Sequence, residues 1–177
     1  MILGREEFER IRAQAETEYP SECCGVVLER NGAPGDRLVV ACRNIQNELH
    51  TKDPSRHPRD ARVAYQVDPK DLLRIGRLEG EGYRVRTIYH SHIDAGAYFS
   101  ETDKQNALLQ GEPIYPDATY VVVSVLGGRL SGAAAFAWSP DRREFMRDLS
   151  LAFHRQLHSA NDRMVYPWTG ARIAPVG

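Results

Sequence analysis

Apolar residues recur along this chain with two periods, and the elements they predict alternate between helices and strands. Phe8, Ile11 and Ala15 share one stripe of residues 6–18, which predicts an amphipathic first helix that ends before Pro20. Short runs rich in β-branched and aromatic residues predict strands. These predicted strands cover residues 24–29, 37–43, 63–67, 84–89, 119–126 and 129–138, and Gly127-Gly128 between the last two is a hairpin signal.

Helical patterns and one long polar segment account for much of the remaining chain. Asp68-Pro69 begins a predicted helix over residues 68–79. A last helix is predicted from Asp141 to about His158, because its apolar residues lie close to one helical face. Residues 46–62 are polar, contain two prolines and follow neither period, so we expect a long loop, a feature that in compact domains is usually functional or mobile. The apolar stripe of the last helix consists of Phe145, Met146, Leu149 and Phe153.

Charge and composition argue against a nucleic-acid-binding protein and against a membrane protein. The 177 residues carry 23 Lys and Arg against 24 Asp and Glu, for a formal net charge of −1, so no basic field argues for nucleic acid. No apolar run approaches the roughly 20 residues of a membrane helix, and the first residues turn acidic without an apolar signal-peptide core. We therefore expect a cytoplasmic protein. Its three cysteines, with Cys23 and Cys24 adjacent, predict buried thiols in place of a disulfide framework.

The strand that ends at His90-Ser91-His92 carries the most informative chemistry. Residues two apart on a strand face the same side, so both imidazoles project together. Asp103 follows in a Ser-x-x-Asp sequence that begins at Ser100 and is typical of a helix start. Two imidazoles and a carboxylate can hold a borderline metal such as Zn²⁺ and leave a fourth position for water.

A plainer interpretation stays open for each of these residues. Ser100 and Asp103 could serve only to begin a helix, and a lone His-x-His is more often a pair of ordinary polar residues. The two readings are compatible, because Asp103 can cap a helix and bind a metal from one place. The other candidates have weaker support: His154 and His158 lack the glutamate of a helical zinc motif, His50 and His57 are surface residues by default, and Asp94 favours substrate contact or solvation.

The spacing His90-x-His92-x7-Ser100-x2-Asp103 resembles the zinc signature of the JAMM (MPN+) metalloprotease family. Upstream, the residues around Glu22 resemble the Pro-x-Glu-x-Cys-Gly form of bacterial members. The resemblance runs from about residue 1 to residue 138 and departs at Ile93, where the family usually has proline. That departure leaves the loop over residues 93–99 undetermined.

The resemblance implies an α/β fold of the MPN (JAB1/MPN-like, cytidine-deaminase-like) type, with a mixed, curved β-sheet flanked by helices. It implies Zn²⁺ bound by His90, His92 and Asp103, Glu22 as general base and then general acid, and Ser100 as a donor to the oxyanion. Without the family, Glu22 would read as a surface carboxylate before a strand. Residues 1–138 form the expected catalytic domain, with residues 139–177 a helix and tail packed on it or on a partner.

The function implied by the resemblance is that of a zinc metallopeptidase. Its expected partner is a ubiquitin-like or sulfur-carrier protein with a Gly-Gly C-terminus, cleaved at a peptide or isopeptide bond after the glycines. Two alternatives are a non-catalytic MPN-type scaffold and a zinc hydrolase of a small amide. We expect no nucleic-acid or membrane partner, and a homodimer is one expected assembly.

Overall fold

A mixed β-sheet forms the centre of the computed structural model, which describes residues 3–148. Six strands lie in the order β2-β1-β3-β6-β7-β8, and β4 and β5 form a separate small hairpin. The strands are β1 Cys24–Arg30, β2 Arg37–Cys42, β3 Tyr83–Ile93, β4 Leu108–Leu109, β5 Glu112–Pro113, β6 Thr119–Leu126, β7 Arg129–Ser139 and β8 Glu144–Asp148. The helices are α1 Arg5–Glu18, α2 Gln46–Lys52, α3 Pro69–Gly80 and α4 Glu101–Asn106.

The parallel pair β3 and β6 lies at the centre, and every other neighbouring pair in the sheet is antiparallel. The buried stripe of α1 packs on one face of the sheet through Phe8 and Ile11. Ile75 of α3 packs on the other face. Helices on both faces of a mixed sheet confirm the predicted α/β class. No helix between residues 3 and 148 has both the length and the apolar character needed to cross a bilayer.

The predicted positions of α1, β1, β2, α3, β6 and β7 agree with the observed ones within one or two residues. β3 extends beyond the β-rich run of residues 84–89: it begins at Tyr83, includes His90 and His92, and ends at Ile93. All three cysteines are buried free thiols, as predicted.

The polar segment over residues 46–62 was predicted as a loop, and this is wrong at its start, where α2 forms. Asn44 organises this region with one side chain. Its Oδ1 accepts hydrogen bonds from the backbone N–H groups of Gln46 and Gln66, both at 3.0 Å. The predicted strand over residues 63–67 is also absent: only an isolated bridge joins Asn44 to Val67. Side-chain hydrogen bonds to backbone therefore replace regular pairing here.

The helix predicted from Asp141 to about His158 is wrong in its described part, because residues 144–148 form β8 and pair antiparallel with β7. Phe145 points into an aromatic cluster, whereas its neighbour Met146 is 37% exposed on the other side. A helical spacing of apolar residues was overridden by pairing with a strand already in place. Residues 149–177, with His154 and His158, lie outside the described part of the chain.

Replacing Phe145 by Ala should lower the free energy of unfolding by about 3 kcal/mol, because the ring packs against three others. Its centroid lies 5.1 Å from Phe99, 5.2 Å from Tyr120 and 5.1 Å from Trp138. Met146→Ala is the matched control and should cost less than about 1 kcal/mol. Denaturant unfolding measures both, and equal losses would contradict the alternation of a strand at this point.

Candidate active site

Two imidazoles project from the same face of β3. His90 and His92 are 1% and 7% exposed, and their Nε2 atoms lie 3.2 Å apart. Ser91 between them faces the opposite side, where its Oγ accepts a hydrogen bond from the backbone N–H of Cys23 at 2.8 Å. The pleat of the strand therefore creates the predicted histidine pair and keeps the intervening serine out of it.

Asp103 reaches the same point from α4. Its Oδ1 lies 3.4 Å from His90 Nε2, and its Oδ2 lies 3.6 Å from His92 Nε2. The helix begins with a complete capping box, in which Ser100 Oγ accepts from the Asp103 N–H at 3.1 Å and the Ser100 N–H donates to Asp103 Oδ2 at 2.8 Å. The cap thus fixes the carboxylate beside the imidazoles.

Neighbouring groups fix the tautomer of His92 and favour the neutral ring of His90. His92 Nδ1 lies 3.1 Å from the carbonyl oxygen of Gly96, and since a carbonyl can only accept, Nδ1 carries the proton. Burial lowers the pKa of His90, although Asp103 opposes the change. Tyr65 stacks on the His90 ring with centroids 4.8 Å apart, which holds its orientation.

These three side chains fit a metal ion. Their ligating atoms all lie within 4.8 Å of one another, and all three residues are buried. Burial alone would raise the pKa of Asp103, but hydrogen bonds with His90, His92 and Ser100 lower it well below its usual range, so the carboxylate is ionised. Two imidazole nitrogens and one carboxylate oxygen form a donor set for a divalent transition metal.

Glu22 lines the same cleft, at the entry to β1, and is 6% exposed. Its backbone is fixed on both sides: its N–H donates to the carbonyl of Ala61 at 2.6 Å, and its own carbonyl accepts from Asn44 Nδ2 at 2.9 Å. Burial, followed by repulsion from Asp103, raises the pKa of Glu22 to about 8. The residue is therefore a buried carboxylate with high proton affinity and not the surface group that the sequence alone suggested.

The hydroxyl of Ser100 points toward Asp103. Its Oγ lies 2.6 Å from Asp103 Oδ2, in addition to the hydrogen bond it accepts from the Asp103 N–H. Ser100 also lines the cleft, so its hydroxyl is close to any group bound there. The capping role is observed directly in this arrangement.

The cleft around these residues has a volume of about 500 Å³. Two loops contribute to its walls: His57 and Arg59 come from the segment after α2, and Tyr98 comes from the segment after β3. Sequence reasoning assigned His57 to the surface and did not consider Arg59. The signal that was available is the concentration of charge around Pro58, since three arginines and a histidine lie within residues 56–62.

Ile93 stands where the sequence departs from the JAMM pattern. Its side chain is buried in the core under α1. The loop is held by Asp94, whose carboxylate accepts from the Gly127 N–H at 2.9 Å and from the Tyr19 hydroxyl at 3.1 Å. Asp94 adopts a φ of 53°, and it therefore shapes the turn and stands apart from the group of His90, His92 and Asp103.

Comparison with known proteins agrees with this geometry. The family described as prokaryotic homologs of the JAB domain matches residues 5–141. A protein named desampylase from Haloferax volcanii is 30% identical over 142 residues, which cover 80% of this chain and 84% of that protein. A CysO-cysteine peptidase from Mycobacterium tuberculosis is 30% identical over 63% of this chain and 64% of its own length. A solved structure from Desulfitobacterium hafniense, at 19% identity and a TM-score of 0.55, covers 81% of this chain and 86% of that one, and confirms the fold.

Replacing His90 by Ala should abolish stoichiometric metal binding, because it removes one of three converging ligand atoms. His57→Ala is the matched control: it removes an imidazole that lines the same cleft but lies outside the group of three. Elemental analysis after dialysis measures both. One metal ion retained per chain in His90→Ala would contradict the ligand assignment.

The pH dependence of stability in metal-free protein should reveal Glu22. Its folded pKa of about 8 lies above the ordinary value of 4.5. The stability contributed by its protonated form is therefore complete below about pH 4.5 and is lost as the pH rises toward 8. Glu22→Gln lacks this titrating group. The difference between its free energy of unfolding and that of the original protein should therefore grow with pH, by roughly 1.4 kcal/mol per pH unit at most. Denaturant unfolding in a chelator tests this, and a pH-independent difference would contradict it.

Proposed function

Because the chain belongs to the family of prokaryotic homologs of the JAB domain, as its sequence predicted, we propose that it is a zinc-dependent peptidase that cleaves after the C-terminal glycines of a ubiquitin-like or sulfur-carrier protein. The assignment to the peptidases of this family is confirmed by its named relatives. The observation that carries the mechanism is the convergence of His90, His92 and Asp103 in a cleft that Glu22 also lines.

Zinc is the metal that this donor set favours, with His90 Nε2, His92 Nε2 and one oxygen of Asp103 as its protein ligands. When bound, it would polarise the scissile carbonyl and lower the pKa of water toward about 7. The chain contributes the fixed orientation of the ligands. Ser100 and the first turn of α4 hold Asp103, and the Gly96 carbonyl holds the His92 ring.

Glu22 moves the proton in this mechanism. Its carboxylate accepts a proton from the water that attacks the scissile carbonyl carbon, and then delivers it to the leaving nitrogen. A buried carboxylate with a raised pKa suits both halves of this task near neutral pH. The bonds from Ala61 and Asn44 keep the backbone of Glu22 in place during the transfer.

Ser100 supplies a hydrogen bond to the oxyanion that forms on the carbonyl. In the resting arrangement its hydroxyl donates to Asp103 Oδ2, while its Oγ also accepts from the backbone. Rotation about the Cα–Cβ bond redirects the hydroxyl into the cleft and leaves the backbone part of the cap, from the Ser100 N–H to Asp103, intact. One side chain can thus serve the helix and the reaction at different moments.

The substrate follows from the family resemblance and from the cleft. A Gly-Gly tail is thin enough to lie in a cleft whose walls are the segments over residues 56–66 and 92–106. The bond cleaved is a peptide or isopeptide bond after the second glycine, and the setting is the cytoplasm. Residues 1–138 are the proposed catalytic domain, to whose sheet residues 144–148 add β8, and a homodimer is the proposed assembly.

Two other functions remain as outcomes of the test. A non-catalytic scaffold is disfavoured, because every ligand of the signature is present and converges at one point. A hydrolase of a small amide would share the zinc and Glu22 but would not depend on a carrier protein.

The decisive experiment offers the zinc-loaded protein a purified β-grasp carrier that ends in Gly-Gly and is extended by an amide-linked residue. Mass spectrometry should show release after the second glycine, and Glu22→Gln should bind zinc but release nothing. A carrier with Ala-Ala in place of Gly-Gly is the matched control. Equal cleavage of both carriers would favour the small-amide function, and zinc-loaded protein that cleaves no amide would favour the scaffold.

Ser100→Ala separates the two roles of that residue. Loss of an oxyanion donor should lower kcat by about 100-fold or more. Loss of the cap alone should lower the free energy of unfolding by about 1 kcal/mol with the rate intact. Steady-state kinetics and denaturant unfolding on the same zinc-loaded sample distinguish these results. An unchanged kcat would assign Ser100 to the helix only.

A further inference from the structure

The peptide unit that follows Glu22 is held along both edges by side chains from other parts of the chain. The Glu22 carbonyl oxygen accepts a hydrogen bond from Asn44 Nδ2 at 2.9 Å, and the Cys23 N–H donates to Ser91 Oγ at 2.8 Å. The Ser91 N–H donates in turn to the Cys23 carbonyl at 3.0 Å. Because both polar atoms of this peptide are paired, its plane is fixed, and with it the direction in which the Glu22 side chain leaves the backbone.

Ser91 is the anchor that comes from the strand of the metal ligands. It lies between His90 and His92 on β3, is fully buried, and points to the face opposite to the two imidazoles. The paired residues of β1 and β3 begin at Cys24 and His90, so Glu22 lies before the regular ladder. The serine side chain extends the connection between the two strands as far as the peptide next to Glu22.

The other two anchors of Glu22 come from loops. Asn44 follows β2, and Ala61, whose carbonyl accepts from the Glu22 N–H at 2.6 Å, belongs to the segment after α2. Those contacts tie Glu22 to the wall of the cleft, whereas Ser91 ties it to the strand of the histidines. The separation matters for the rate, because a general base has to lie within hydrogen-bond distance of the water that it activates.

We propose that Ser91 is a positioning residue for the reaction proposed above, and that its Oγ holds the backbone of Glu22 at a fixed separation from His90 and His92. Ser91 does not line the cleft, so it acts through Glu22 and without contact to the substrate. The effect on rate rests on the proposed function, and the effect on the position of Glu22 rests on the geometry alone. A serine that only filled space in the core would have neither effect.

Removal of the hydroxyl tests the effect on rate, in zinc-loaded protein with the Gly-Gly carrier described above. Ser91→Ala should lower kcat by about tenfold or more and change KM by less than about twofold, because a small displacement of a catalytic group slows the reaction without weakening binding. Zinc affinity should be unchanged, since both histidines leave the strand on its other face. Ser91→Thr should restore most of kcat, because it keeps the Oγ atom and suits a strand.

Val27→Ala is the matched control, because Val27 is a fully buried residue of β1 whose truncation leaves the Ser91 hydroxyl in place. It should lower the denaturation midpoint at least as far as Ser91→Ala does, and leave kcat unchanged. An unchanged kcat in Ser91→Ala would overturn the proposal, and so would an equal fall in Val27→Ala, which would trace the loss to stability. Loss of zinc from Ser91→Ala would also overturn it, because the serine would then act on the ligands.

Nuclear magnetic resonance of the zinc-loaded protein tests the position of Glu22 without any turnover. The carboxyl carbon signal of Glu22, assigned by its absence from Glu22→Gln, should move in Ser91→Ala and stay in place in Ser91→Thr and Val27→Ala. The Cys23 amide proton should move upfield in Ser91→Ala, because its hydrogen bond is lost. A carboxyl signal that does not move overturns the proposal. If the original protein cleaves no carrier, the proposed function fails, and the carboxyl signal still decides the role of Ser91.

Discussion

The rest of the site depends on the burial of four ionisable side chains at one point. Glu22, His90, His92 and Asp103 are each less than 10% exposed. Burying a charged group costs free energy unless the group is paired with an opposite charge or binds a metal. Two of the four groups here are carboxylates, which repel each other. Hydrogen bonds from neighbouring side chains lower the pKa of Asp103, and burial beside Asp103 raises the pKa of Glu22 to about 8, so that in the absence of metal only one of the two carboxyl groups favours the charged form at neutral pH. A bound dication would relieve the same repulsion directly, because it attracts both carboxylates.

The segments around these four side chains are held mainly by hydrogen bonds from side chains to backbone. Asn44 alone connects Glu22, Ala64, Gln46 and Gln66 through its amide. Such bonds satisfy the backbone groups of irregular segments that no strand pairs with. Loop segments held in this way form walls of the cleft beside the central sheet.

Sequence patterns predicted those features of the site that depend on residues close together in the sequence. The period of two places His90 and His92 together, and the capping box places Asp103 at the start of α4. The burial of Glu22 has no local signal, because it arises from Ala61 and Asn44, which are distant in the chain. The strand β8 was missed for the same reason: its pairing with β7 and the contacts of Phe145 lie outside any sequence window. The start of α2 was missed because Asn44 supplies its support through a side chain.

The segment after α2 is held at two backbone positions that lie close together in the sequence. The Arg59 carbonyl is fixed by Gln46, and the Ala61 carbonyl is fixed by Glu22. Because only one residue separates these two anchors, a displacement of the Arg59 backbone would be transmitted to the backbone of Glu22. The segment after α2 therefore ties the shape of the cleft wall to the position of the buried carboxylate.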